Sequence, residues 1–162
     1  MQSKSNIKTY AELAGAGAVL VGLIFVGLEL RQNTAAVEAA TLQNLTDASG
    51  EYLMTIASDP ELARILYEGS VNLEQLSESD RRQHHYLLRA QWFRFQNSFL
   101  QWQHGTLSDD AWNIYAGFVC RTGDSEVGPS NRVATWGDHR PILLPAFVEY
   151  VEACWAGDAA KQ

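Results

Sequence analysis

The stretch Leu13–Leu28, LAGAGAVLVGLIFVGL, decides the architecture. Its sixteen residues carry no charge and no strong hydrogen-bonding side chain, and Glu12 and Glu29 bound it. With Tyr10, Ala11 and Leu30 added, the segment reaches the ~20 residues that cross ~30 Å of hydrocarbon, because the flanking glutamates extend toward the headgroups. Gly15, Gly17, Gly22 and Gly27 would weaken a helix in a water-soluble core. Membrane helices tolerate them. Residues 10–30 are therefore predicted to form a transmembrane helix, with residues 1–9 as a tail before it. Lys4 and Lys8 before the run and Val37-Glu38-Ala39 after it also fit a cleaved signal peptide. That tripeptide lies beyond Glu29 and Arg31, well past the apolar run, so a retained anchor is the preferred reading.

At ~100° per residue, Ala11, Ala14, Gly15, Ala18 and Gly22 fall on one side of this helix, with Val19, Leu20, Leu23 and Val26 mostly opposite. Small residues at four-residue spacing let two helix backbones approach closely in lipid, so this face is the candidate helix–helix interface. Glu29 lies on the same side, where its carboxylate either contributes to assembly or is solvated at the membrane boundary.

Outward from the span, helical periodicity continues without a breaker. Leu30, Val37, Thr41, Leu45, Ala48, Tyr52 and Ile56 recur at mostly four- and three-residue intervals, which predicts one helix from about Ile7 to Ala57. Residues 31–57 are then a stalk continuing the membrane helix. Ser58-Asp59-Pro60-Glu61 reads as a start signal for a short helix that stops at Gly69. Leu76-Ser77-Glu78-Ser79-Asp80 opens a long helix to about His104, with Leu88, Trp92, Phe95, Phe99 and Trp102 as its core stripe and Tyr86, Phe93 and Leu100 as a second apolar side. Leu107-Ser108-Asp109-Asp110 starts another helix, with Leu107 stapled onto Trp112 and an end at Gly123. GDSEVGPSN, residues 123–131, is a loop, Arg132 to His139 a short helix, and Pro145 opens the last one. The expected fold is all-α: a long N-terminal transmembrane and stalk helix, a small helical bundle over residues 58–156, and a fraying tail at 157–162.

The net charge of −7 argues against nucleic acid as a partner, and the nine basic residues after Asn33 face seventeen acids. Cys120 and Cys154 form no zinc framework. Two free buried thiols are the default, and a disulfide stays open if the domain lies in an oxidising compartment. His84 and His85 are adjacent and diverge on a helix, no histidine completes a Glu-x-x-His unit, and solvated or capping histidines are expected rather than a metal site. Arg81, Arg82, Arg89 and Arg94 sit near Glu78 and Asp80, which predicts intramolecular pairs. No nucleophile elbow or phosphate loop follows a strand, so neither catalysis nor a cofactor is expected.

GLELRQNTAAVEAATLQ, residues 27–43, and SDPELARILYEG, residues 58–69, resemble a large family of uncharacterised bacterial proteins. Its members have one N-terminal membrane helix, an (I/L)RQNT-x-AV motif and a helical domain, and Pro145-Ala146-Phe147 matches a helix start common among them. Where relatives often carry basic residues after QNT, this chain has Ala35 and Glu38. The resemblance implies a single-pass protein of the bacterial inner membrane and implies no activity or functional residue. Lys4 and Lys8 against Arg31 place the N-terminus in the cytoplasm and the domain outside it. The expected role is structural or interaction-based, with membrane lipid and either copies of itself or other membrane helices as partners. A pore-forming oligomer with a ring of Glu29 and an enzyme with a site formed only on folding are the alternatives.

Overall fold

A computed structural model describes residues 2–121 and 132–157, with residues 2–14 and Ala16 described as backbone only. The loop expected at 123–131 and the last five residues of the tail lie outside the described residues. All regular structure among the described residues is helical, so the chain is all-α. The helices are α1 (Gln2–Ser58), α2 (Pro60–Val71), α3 (Glu78–Gln103), α4 (Asp109–Val119), α5 (Trp136–His139) and α6 (Pro145–Trp155). Helix α1 begins at Gln2, so residues 2–9, read as a tail, are helical. No proline or cap separates them from the apolar run.

The chain divides into two compact units, Met1–Ala40 and Thr41–Gln162. The first consists of α1 alone. From Val19 to Leu28 its large apolar side chains stand 50–67% exposed.

The second unit begins inside α1. Leu45 and Ile56 are buried and the Tyr52 hydroxyl donates to the Leu87 carbonyl at 3.1 Å, so the stripe read along the stalk packs into the domain from Thr41 onward. Arg94 lies over the Tyr52 ring at 4.6 Å, an attraction between guanidinium and ring face.

Helix starts follow side-chain chemistry. The Asp59 carboxylate, rather than Ser58, caps α2 by accepting from the amides of Glu61 at 2.9 Å and Leu62 at 3.2 Å. Ser77 caps α3 through the Asp80 amide at 3.1 Å. Ser108 makes no such bond at α4; Asp109 instead accepts from the Trp102 indole at 2.8 Å. Gly69 does not end α2, which runs on to Val71 and is capped by Asn72. Gly105, at φ +69°, does end the α3 region, in the left-handed conformation that favours glycine.

Helix α3 organises the core, packing against both α2 and α4. Leu88, Trp92, Phe95 and Phe99 are buried and Trp102 is partly so, while Tyr86 and Phe93 of the expected second apolar side are exposed. The aromatic rings meet at steep angles: Trp92 lies tilted against Trp136 at 4.8 Å and edge to face against Phe147 at 6.3 Å, and Phe99 lies edge to face against Trp112 at 5.7 Å. Leu107 and Trp112, the expected staple, are both in this core.

Cys120 and Cys154 are joined in a disulfide with Cα atoms 5.2 Å apart, so the default of two free thiols is corrected. The reason is tertiary. The Trp155 indole donates to the Val119 carbonyl at 3.1 Å, and these neighbours of the two cysteines register α4 against α6.

Candidate functional site

Two places in the molecule invite a functional reading, and the small-residue face of α1 is the first. Gly15, Ala18, Gly22 and Glu29 are all exposed; Ala11 and Ala14 belong to the same helix, with side chains outside the described part. A Cβ added at Gly15, Gly17, Gly22 or Gly27 would meet nothing within 4 Å. The face is therefore open along its described length, with room for a closely approaching backbone.

The second place is a histidine cluster between the N-terminal half of α3 and α5. His84 is 1% exposed and His139 is fully buried, which corrects the expectation of solvated or capping histidines. The His139 ring stacks on His85 with centroids 4.5 Å apart and planes 21° from parallel. Arg89 contacts Nε2 of His85 at 2.7 Å, and since a guanidinium only donates, this nitrogen is the acceptor. Both nitrogens of His139, and Nε2 of His84, are sealed from solvent without a hydrogen-bond partner among the described residues. Burial first, and then the His85 ring and the Arg89 guanidinium, push the His139 imidazole down to about 4, with only Asp138 opposing. Burial also lowers His84, and His85 adds to it.

A pocket of about 350 Å³ borders the cluster, reaching Leu73, Tyr86, Leu88, Thr135 and Asp138. Stacking holds the lone pairs of His85 and His139 in nearly parallel planes, so they do not converge on one ion. Among the described residues no three His, Cys, Asp or Glu side chains form a metal-binding group.

The arginines near this end of α3 divide between pairs and other contacts. Arg82 pairs with Glu78, while Asp80 pairs with Arg64 of α2 at 3.0 Å rather than with an α3 arginine. Arg81 donates to the Leu76 carbonyl at 3.2 Å.

The sequence held one unused sign of this cluster. His84 precedes Leu88 by four residues, so it extends the stripe Leu88, Trp92, Phe95 and Phe99 by one turn toward the helix start. His139 follows buried Trp136 by three residues in the same way. Gly69, a helix stop by its sequence context, is where α3 brings His84 against α2.

By its fold, the chain is an all-α protein, and among the described residues one helix, near the N-terminus, is long and apolar enough to cross a membrane. It matches no protein-family model, no curated protein and no solved structure.

Proposed function

We propose that this protein is a single-pass membrane protein whose N-terminal helix anchors a small helical domain and assembles with a second copy or another membrane helix. The observation that carries this reading is the uncovered run of large apolar side chains from Val19 to Leu28. Such a surface is unfavourable in water, at about 25 cal/mol per Å². A bilayer removes that cost without any further partner.

Close packing along Ala11, Ala14, Gly15, Ala18 and Gly22 supplies the assembly contact, and Glu29 ends that face at the headgroup level. The Cys120–Cys154 disulfide supports a domain on the oxidising side of the membrane, in agreement with Lys4 and Lys8 on the cytoplasmic side. The RQNT segment at residues 31–34 supports grouping the chain with the bacterial single-pass family it resembles. Its role in this reading is interaction rather than catalysis.

Alkaline carbonate extraction of membranes, followed by N-terminal sequencing of the extracted chain, tests the anchor. The expected result is a chain that stays with the membrane and keeps residues 10–30. A soluble chain beginning near Ala40 identifies the apolar run as a cleaved leader and overturns the reading.

A further inference from the structure

We propose that the histidine cluster between α3 and α5 is an acid-triggered latch, in which protonation of His139 releases the segment around α5 from α3 while the rest of the domain stays folded. The inference goes beyond the membrane reading and does not depend on it.

The geometry carries it. His139 is fully buried, stacked on His85 at 4.5 Å, and has neither ring nitrogen bonded among the described residues. A neutral imidazole tolerates this position. An imidazolium carries two N–H donors and a charge, and buried charge without an acceptor is strongly unfavourable. What faces it from α3 makes this worse: the His85 ring, the Arg89 guanidinium and His84. The acid that opposes this, Asp138, lies on α5 itself and is exposed, and its effect is smaller than those of His85 and Arg89. At the pocket rim, Glu78 is already paired with Arg82, and Arg81 adds another cation. On the far side of α5, Glu152 of α6 accepts from the Trp136 indole at 3.0 Å and meets Arg140 at 3.3 Å. That carboxylate tethers the segment from α6 rather than answering a charge on His139.

Two features make the opening local. The pocket already reaches Thr135, Asp138 and His139, so a small movement of α5 brings water to the ring. The Cys120–Cys154 bond encloses α5 in a loop whose ends stay joined, so α4 and α6 keep their register when the segment between them moves. Release uncovers Trp136 and Trp92, whose tilted rings lie 4.8 Å apart in the closed form. The latch thereby converts a fall in pH into exposed aromatic surface.

Hydrogen exchange of the full chain in detergent micelles, corrected for the intrinsic pH dependence of exchange, reads the opening directly. Between pH 7 and pH 5 the amides of residues 132–142 should lose protection by about tenfold or more. Those of residues 92–99 and 147–151 should keep theirs. In His139→Phe the loss should disappear. If that variant does not fold, His85→Gln serves, since removing the stacked ring should reduce the loss. Uniform loss across the domain, full protection of residues 132–142 at pH 5, or an acid response unchanged in the variant that folds overturns the proposal.

Discussion

Gly69 of α2 and His84 of α3 touch so closely that a methyl group at position 69 would stand 2.3 Å from Cδ2 and 2.7 Å from Cγ of the imidazole. No real Cβ sits that near another heavy atom, and the ring is buried with little room to turn. Gly69→Ala should therefore destabilise the domain by about 1–3 kcal/mol, the range for overpacking a filled site. This is opposite in sign to the roughly 1 kcal/mol that alanine gains over glycine in a free helix. In a His84→Ala background the same change should be neutral or stabilising. Denaturant melts of the four proteins in this double-mutant cycle check it, and additive effects would refute the contact.

Reducing the Cys120–Cys154 bond should lower stability by about 3–4 kcal/mol on the chain-entropy account of a loop of this length. The bond brackets a separation of 34 residues. Thermal melts with and without reductant measure the loss. Alkylation of the unreduced, denatured chain should label neither cysteine; labelling of both would show that the bond does not form.

Stability should also fall with acid through His139. Its folded-state value lies near 4 against an ordinary 6.5, so the unfolded chain binds more protons between these limits. The stabilisation is complete above about pH 6.5 and is lost progressively as the pH falls toward 4. Melting temperatures at pH 7, 5.5 and 4.5 should fall more steeply for the parent than for His139→Phe. Parallel curves would remove His139 as the cause.

Phe95 and Phe93 stand two residues apart on α3, the first buried and the second 45% exposed. Phe95→Ala should cost about 3–5 kcal/mol because it removes a ring from the cluster around Trp92 and leaves a cavity. Phe93→Ala should stay within about 0.5 kcal/mol. Equal losses at the two positions would mean that the helix is rotated relative to this assignment.

Assembly through the small face is tested at Gly22, where an added side chain meets nothing within its own chain. Gly22→Leu should leave membrane insertion intact, because leucine favours hydrocarbon, and should lower the mass of the particle in mild detergent. Leu20→Ile, mostly on the other side of the helix, should leave the mass unchanged. If both variants keep the parent's mass, the interface lies in the domain.

Much of this protein was determined by residue order alone. The uninterrupted run from Leu13 to Leu28, the caps at Asp59 and Ser77, and the stripe Leu88, Trp92, Phe95 and Phe99 are local signals, set by hydrophobic spacing and by hydrogen bonds within a few residues. Such signals act along one helix, and so they can be read along one sequence. What the tertiary structure decided was every relation between helices: that the end of α1 from Thr41 belongs to the domain, that Gly69 is a point of close approach rather than a stop, and that Cys120 meets Cys154. The burial of His84 and His139 belongs with these. A histidine's spacing is compatible with either solvent or core, and only the packing of α2, α3 and α5 around the rings removed water from their nitrogens.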